Sequence, residues 1–447
     1  MTPLQYYLVR MVERGYAVIT LLLVMGALQP FLVTWRTGTS DPNLNEMIEQ
    51  GNIRFQIVSL SLYVIALLVL LAVRHRLPTL LARNWSLLAL VGLAVLSAAW
   101  SYYPDATFRR GIALVLTLGF ALYLVLRYSS LELLELLGVA MVIAAVMSYV
   151  FVFAFPVYAI HSFDQHHGTW RGVFDHKNTF GAVMGLGVLV CVTLWRTGGP
   201  IRRPFAAVGI ALCGSLLAQS FSATSWTVTV GALLSMVFLN RLRASPFPLG
   251  VRLGVVLAIG FGAIFLLTAH FLVVGLDMLG RDLTFSGRTT IWPLALEAGM
   301  EHPFLGAGYR AFWSPIGAEY VYARLSWNEQ LGNGHNGYLD VWLELGFVGF
   351  GLFLVMFLTL GRRAYVRLTT SRDAVGLFYV MFFLFSFVYS ITEKFLLEQT
   401  DILWLVLMVC LLYLTPVRQE SGAPASDRAR LPQGPRRHPQ TPASEPA

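Results

Sequence analysis

The chain has 447 residues, of which 56% are hydrophobic and only 13% are charged, and it carries a formal net charge of +8. Together with a mean hydropathy of +0.65, this composition excludes a soluble globular protein, in which roughly a quarter of the residues are charged. Apolar runs long enough to cross ~30 Å of hydrocarbon recur along the whole chain. The sequence therefore predicts an all-α polytopic membrane protein.

The apolar runs predict twelve transmembrane helices in chain order. The first nine fall within residues 1–273 and centre near 16–33, 56–73, 85–101, 111–126, 132–155, 179–195, 204–219, 224–239 and 253–273. Residues 274–337 form the one large loop, which we expect to contain short helices because long structureless loops are uncommon. The last three spans, near 338–360, 374–392 and 400–415, are followed by a Pro-, Ala- and Ser-rich tail at residues 416–447 that we expect to be disordered.

The basic residues indicate the orientation, because Lys and Arg accumulate in short cytoplasmic loops. A cytoplasmic N-terminus places 21 of the 32 Lys and Arg residues inside and 11 outside, and an even number of spans returns the C-terminus to the cytoplasm. The positive charge is thus explained by topology and by contact with membrane lipids, and it does not indicate nucleic-acid binding. The three cysteines fall within predicted spans and indicate neither a disulfide framework nor a metal site.

The external loop at residues 156–177, PVYAIHSFDQHHGTWRGVFDHK, is rich in titratable side chains. Its histidines and aspartates are His161, His166, His167, His176, Asp164 and Asp175. Their spacing fits no recurrent zinc pattern and no cysteine assists, so we predict no metal and no cofactor. Metal binding is kept as the competing interpretation of this cluster.

The large loop contains a predicted helix within residues 285–313, FSGRTTIWPLALEAGMEHPFLGAGYRAFW. Ser286, Thr289 or Thr290 can cap it, and Gly299 ends it. Arg288 lies at its start, where free backbone amides and a guanidinium would form an anion site that suits a diphosphate. The alternative is an arginine that is merely solvated in a loop.

The segment at residues 333–349, NGHNGYLDVWLELGFVG, places His335 immediately before a membrane helix. Asp340 and Glu344 lie on one face of that helix, and carboxylates so near a span are costly unless they face water or a partner. A histidine that is neutral near pH 7 can take a proton from a sugar hydroxyl, while external arginines stabilise a departing diphosphate. We expect Asp340 or Glu344 to orient the imidazole; the alternative is a histidine that only hydrogen-bonds within the loop.

Four parts of the chain, in order, resemble one protein family. They are GTWRGVFDHKNTFGA at 168–182, SFSATSW at 220–226, the loop and helix segments at 287–349, and TEKFLLEQTDILWLVLM at 392–408. His335-Asn336, followed after nine residues by Gly346 and after two more by Gly349, is similar to the histidine motif of the ligases in this family. The family is the O-antigen ligase and polysaccharide polymerase superfamily of bacterial inner membranes.

The resemblance implies about twelve helices, one large periplasmic loop, and metal-independent, inverting glycosyl transfer from undecaprenyl diphosphate-linked glycans. It implies His335 and Arg288 as the catalytic residues. Ala223 stands where many relatives have an arginine, so the diphosphate contact is expected from other basic residues. The substrate-binding residues expected on this basis are Arg171, His176, Lys177, Asn178, Arg281, Arg310, Asn336 and Asp340.

The resemblance leaves the acceptor open. A polymerase passes the glycan to the next lipid-linked repeat unit, whereas a ligase passes it to the lipid A core. GRDLTFSGRTTIW and WRGVFDHKN are most similar to exopolysaccharide polymerases of the ExoQ kind, which favours the polymerase; a flippase and a chain-length regulator are the protein partners this implies. A membrane transporter is the alternative from another class, but the sequence shows neither internal repeats nor paired broken spans.

Overall fold

The structure is a computed structural model, and it describes residues 2–32, 53–73, 77–161, 168–242, 251, 262, 288–325, 331–371 and 373–415. Nearly all of the predicted ninth span, His166, His167, Asp164, Arg281 and the tail at 416–447 lie outside these residues. The predictions made for these residues therefore stay predictions.

The described chain is helical, with a single isolated β-bridge between Ile160 and Trp170. The helices are α1 Pro3–Val24, α2 Gln29–Leu32, α3 Ile53–Ala72, α4 Leu77–Ala82, α5 Trp85–Leu96, α6 Pro104–Arg127, α7 Ser130–Ala154, α8 Pro156–Ala159, α9 Lys177–Thr197, α10 Arg202–Gln219, α11 Ala223–Leu242, α12 Arg288–Gly299, α13 Glu319–Tyr322, α14 Gly337–Thr370, α15 Ala374–Thr392 and α16 Ile402–Tyr413. The all-α class is confirmed. The helix predicted within residues 285–313 is also present and ends at Gly299 as expected, but it begins at Arg288, so Thr289 and Thr290 lie inside it and do not precede it as caps.

Seven of the described helices are long and apolar enough to cross a membrane, namely α3, α6, α7, α9, α11, α14 and α15. Two shorter apolar helices, α5 with its following turn and α16, also lie at predicted spans. Every predicted span apart from the ninth overlaps a helix within the described ranges, but the first, at 16–33, is divided by a turn between the end of α1 and α2. The protein is thus a multi-pass membrane protein, and the total of twelve spans stays a prediction.

Ion pairs gather at one end of the helix bundle. Glu132 and Glu135, in the first two turns of α7, contact Arg14 of α1 at 3.1 Å and Arg202 of α10 at 2.6 Å. Arg127, which ends α6, pairs with α1 as well. We call this end, at the starts of α1, α7 and α10, the basic end.

The opposite end collects the segments that the sequence analysis singled out. Helices α9 and α14 begin there, and α15 ends there, packed against α9, α11 and α14. The segment that follows α15 is consequently enclosed by the starts of two helices and by the large loop. We call this end the site end.

Helix α14 is broken near its start. Gly346 has a φ of 63° inside the helix, a left-handed conformation that favours glycine. The break frees backbone groups, and the loop supplies their partners: the amide of Phe347 donates to the Pro303 carbonyl at 2.8 Å, and the amide of Ala307 donates to the Leu343 carbonyl at 3.0 Å. The large loop is therefore hydrogen-bonded into α14 at this point.

Candidate active site

Glu393, the residue immediately after α15, lies at the centre of the site end. Its side chain is buried, with 7% of the residue exposed. Oε1 accepts hydrogen bonds from Arg288 Nη2 at 2.9 Å and from Asn178 Nδ2 at 2.8 Å. A buried carboxylate needs such charged and polar partners, because its desolvation is otherwise prohibitive.

His335 faces the second oxygen of the same carboxylate. Its Nδ1 lies 3.7 Å from Glu393 Oε2, which is within ion-pair range but too long for a hydrogen bond. About a third of the side chain is exposed, at 36%, although Nδ1 itself is buried. The exposed part of the side chain therefore lies on atoms other than Nδ1.

The turn that carries His335 is fixed by its neighbours. The amide of Gly334 donates to Asp340 Oδ1 at 3.0 Å, and Trp313 Nε1 donates to the same oxygen at 2.7 Å. The carbonyl of Gly334 accepts from Trp292 Nε1 at 2.8 Å. The backbone of His335 has a φ of 50°, a value that residues other than glycine rarely adopt. A strained backbone of this kind persists only where surrounding contacts hold it in place, and here the hydrogen bonds to Gly334 do so.

Helix α12 joins the two sides of the site. Arg288 and Trp292 lie one turn apart on it and so share a face. Arg288 bonds to Glu393, while Trp292 bonds to the turn that holds His335. One helix of the large loop thus sets the distance between the carboxylate and the imidazole.

Glu393 is held in its charged form. Burial acts to raise the pKa of this carboxyl, but the contacts with His335 and Arg288 outweigh it and bring the pKa below its usual range. A charged carboxylate beside an imidazole stabilises the proton on the nitrogen that faces it. The arrangement consequently favours a proton on Nδ1 of His335 and a lone pair on Nε2.

His176 and Lys177 are close enough to Glu393 to interact with it electrostatically. His176 caps α9, because its Nδ1 accepts from the amide of Asn178 at 3.2 Å, and its ring centroid lies 5.5 Å from that of His161. Burial lowers the pKa of His176, against an opposing attraction to Glu393. Lys177 also interacts electrostatically with Glu393. These residues share an electrostatic environment, and the prediction that they line one cavity stays a prediction.

A second buried charge network lies behind the first. Lys394 Nζ contacts Glu344 at 2.7 Å and Glu398 at 3.3 Å, and Arg310 contacts Glu398 at 2.5 Å. Burial acts to lower the pKa of Lys394, but the two carboxylates outweigh it and raise that pKa. Arg310 is therefore committed to protein partners, and the network ties the large loop to α14 and to the segment after α15.

Other predicted site residues also have structural contacts. Arg171 Nε donates to the carbonyl of Tyr158 at 2.7 Å, which holds the loop before α9. Asn336 caps α14 by accepting from the amides of Tyr338 and Leu339 at 3.1 Å. These contacts show how both residues shape the site end, and their predicted contact with substrate stays a prediction.

The residue that faces the imidazole corrects one expectation. Asp340 is buried and engaged with Trp313 and Gly334, and Glu344 is paired with Lys394. The carboxylate within ion-pair range of His335 is Glu393 instead. Sequence reasoning missed Glu393 and Lys394, although a Glu-Lys pair between two apolar runs was the available signal, since charges at such a place require partners.

Two buried nitrogens at this site lack a hydrogen-bond partner among the described residues. They are Nε of Arg288 and Nδ1 of His335. Buried polar groups are nearly always satisfied in native proteins, and exceptions commonly mark a site of function. No group of metal-ligating side chains occurs within the described ranges.

Two comparisons bear on this arrangement. Residues 206–354 match the family model described as O-antigen ligase. The chain is also 28% identical over 220 residues to the exopolysaccharide production protein ExoQ of Rhizobium meliloti (strain 1021), an alignment that covers 45% of this chain and 49% of the relative. The chain thus spans about half the length of the curated relative it matches. Together these findings confirm the resemblance predicted from the sequence motifs.

Proposed function

We propose that this chain, which is similar to the O-antigen ligase and polysaccharide polymerase superfamily, is an inner-membrane glycosyltransferase that polymerises exopolysaccharide or O-antigen repeat units. The donor is a glycan linked to undecaprenyl diphosphate, and transfer occurs at the periplasmic face, with both chain termini in the cytoplasm. The observation that carries this proposal is the Glu393 cluster, in which one buried carboxylate holds Arg288 and faces His335 at the site end.

His335 acts as the general base in this proposal. Nδ1 faces the charged carboxylate of Glu393 at 3.7 Å, and in this proposal Nδ1 carries the proton while Nε2 keeps the lone pair that reaches the acceptor. Nε2 removes the proton of the acceptor hydroxyl as its oxygen attacks C1 of the donor sugar. The bond between C1 and the phosphate oxygen breaks, and the configuration at C1 is inverted.

Arg288 stabilises the diphosphate that leaves. One of its nitrogens, Nη2, is committed to Glu393, whereas Nε has no partner among the described residues. A guanidinium held on one side by a carboxylate is pre-oriented to bind phosphate oxygens with the other. Lys177, which interacts electrostatically with Glu393, supplies further positive charge, while Arg310 and Arg171 act mainly on protein partners.

No divalent ion is required in this proposal, since cationic side chains neutralise the leaving group. Purified protein in vesicles should therefore transfer glycan in excess EDTA. Loss of transfer in EDTA and its return with Mg²⁺ or Mn²⁺ would contradict the proposal. That result would favour metal binding by the histidine-rich loop at residues 156–177.

The experiment that tests the function is the activity of His335→Gln. Glutamine preserves hydrogen bonding but cannot act as a base, and the loss of a general base costs about 10²- to 10⁴-fold in rate. We expect the variant to insert normally but to make almost no long polymer. His302→Gln is the matched control, because His302 lies in the same loop and bonds to Tyr102 instead. A His335→Gln variant with near-normal polymerisation would remove His335 from the role of base.

Transfer to lipid A core is the second candidate, because the matching family model is described as O-antigen ligase. The glycans of a deletion strain separate the two. If the protein is a polymerase, single repeats and short oligomers remain and long polymer is lost. If it is a ligase, full-length chains stay on undecaprenyl diphosphate and the lipid A core goes unmodified.

A further inference from the structure

The turn that follows α12 exposes apolar side chains in a loop. Phe304 is 68% exposed, and Met300 and Leu305 are 62% and 45% exposed. We call these three residues the apolar turn. A cluster of exposed apolar side chains is costly in water and usually marks a surface that is covered by something else.

The apolar turn is fixed against α14 immediately after its break. The amide of Val348 donates to the Phe304 carbonyl at 3.2 Å. The ring of Phe304 packs edge-on against that of Phe347, with 6.1 Å between centroids. The turn therefore sits at a defined height along a helix that is apolar enough to cross the membrane.

The apolar turn contacts α14 at the point along the helix where its exposed apolar face begins. Residues 337–346, before the break, are buried or half-buried. From Phe347 onwards the helix exposes Val348, Leu354, Val355 and Leu358, and residues 347–370 at 1.5 Å per residue suffice to cross ~30 Å of hydrocarbon. The apolar turn is continuous with the face of α14 that lipid covers.

Aromatic residues of a second helix pair lie at the same height. Trp100 Nε1 donates to the carbonyl of Leu305 at 3.2 Å, and Tyr102 Oη lies 3.0 Å from Nε2 of His302. Tryptophan and tyrosine concentrate at the boundary between hydrocarbon and headgroups. Trp100 contacts the apolar turn itself and Tyr102 contacts His302 within the same segment, which supports a position for the turn at that boundary.

We propose that the apolar turn is a membrane-interface anchor whose three side chains insert into the acyl chains of the bilayer. Its partner is the lipid surface itself. The inference is independent of the reaction proposed above, since it depends only on exposure and on continuity with α14.

Spin labelling in vesicles of phosphatidylethanolamine and phosphatidylglycerol tests the anchor. The label is attached at Phe304→Cys, and separately at Met300→Cys, in full-length protein whose buried Cys191, Cys213 and Cys410 are replaced by alanine. At both positions we expect the spin label to collide more often with oxygen than with a water-soluble nickel complex. The same order is expected at the lipid-facing reference Leu358→Cys. At the reference Glu319→Cys, which replaces an exposed charged residue, the label should collide more often with nickel than with oxygen. Its accessibility to nickel should be several-fold higher than at Phe304→Cys.

Water-like accessibility at both Phe304 and Met300, equal to that at Glu319→Cys, would overturn the proposal. Agreement of either site with Leu358→Cys supports it, because both side chains belong to the same turn. Both labels replace exposed side chains, so neither requires the core to repack.

Discussion

Glu393 brings three chemically different groups to one point, because an amide, a guanidinium and an imidazole all face its two oxygens. A carboxylate at the end of an apolar helix would be unstable alone. With these partners its charge both fixes Arg288 and defines which nitrogen of His335 carries the proton. Single side chains at this site are therefore interdependent, and their substitutions should not be additive.

Glu393→Gln removes the charge but keeps an oxygen that can accept from Arg288 and Asn178. The imidazole then loses the carboxylate that stabilises its Nδ1 proton, and we expect glycan transfer to fall by about 10²- to 10⁴-fold, as for other histidine bases that lose their carboxylate. Transfer by purified protein in vesicles measures this. Glu319→Gln, which changes an exposed carboxylate in the large loop, should retain normal activity; equal rates for both variants would contradict the role of Glu393.

His176 should make the protein sensitive to acid. Burial lowers its pKa in the folded state, whereas in the unfolded chain the value is about 6.5. Below that pH the unfolded chain binds more protons, so stability falls as the pH decreases. His176→Asn does not titrate and keeps an oxygen that can cap α9.

Thermal unfolding of the detergent-solubilised protein between pH 5 and pH 7.5 tests this expectation. The wild type should lose more stability towards low pH than His176→Asn does. Parallel curves for the two proteins would show that His176 contributes nothing to the acid sensitivity.

At the scale of elements, the broken helix α14 and the loop that completes it form one unit. A Cβ at Gly346 would lie 2.1 Å from the carbonyl carbon of Phe304, and one at Gly306 would lie 2.4 Å from the backbone of Glu344. Two glycines on different segments thus permit the same close approach of backbones. The spacing of Gly346 after the histidine motif has a steric cause.

Gly346→Ala should prevent the loop from docking. The added methyl group meets the backbone of Phe304 and also strains a φ of 63°, which costs about 1–2 kcal/mol before any clash. We expect a marked loss of thermal stability and no polymer. Gly351→Ala is the matched control in the same helix, because a Cβ there has nothing within 4 Å and alanine favours a helix by about 1 kcal/mol.

Equal stability of the two alanine variants would show that the break in α14 does not depend on glycine. Measurement in the same detergent, by thermal unfolding and by yield of folded protein, distinguishes a docking defect from a failure to insert.

The elements were predictable from the sequence because hydropathy is a local property. Every described span, and α12 with its end at Gly299, could be placed from apolar runs and helix-ending residues. The break at Gly346 could not, since its cause lies in residues 303–307, far upstream in the chain. Similarly, the motif identified His335 and Arg288, but Glu393 became visible only when α15 was packed against α9 and α14.

At the scale of the whole molecule, the two ends of the bundle differ in how charge is used. At the basic end, arginines pair with partly exposed glutamates, contacts that contribute little to stability in water. At the site end, Arg288, Lys394 and Glu393 are buried in networks. The basic end lies where the positive charges predict cytoplasmic loops, and the orientation proposed above has the site end on the opposite side of the membrane.

Cysteine labelling tests this orientation with two positions that flank one helix. Gly332→Cys lies just before the start of α14 and Thr370→Cys at its end, and both are exposed. A thiol reagent that cannot cross the inner membrane should label Gly332→Cys in cells with a permeable outer membrane and should label Thr370→Cys only after lysis. The reverse pattern would place the site in the cytoplasm and would exclude the proposed lipid-linked donor on the periplasmic face.

The backbone pairing between α14 and residues 303–307 has a consequence for protein engineering. Backbone groups of α14 form hydrogen bonds with the loop. The loop therefore cannot be exchanged on its own, even though it is the largest segment outside the predicted spans. A chimera that imports a relative's loop would leave peptide groups beside Gly346 unmatched, unless the imported sequence reproduced the same backbone path. An exchange of this loop between relatives should therefore give folded protein only when the loop and the first half of α14 are transplanted together.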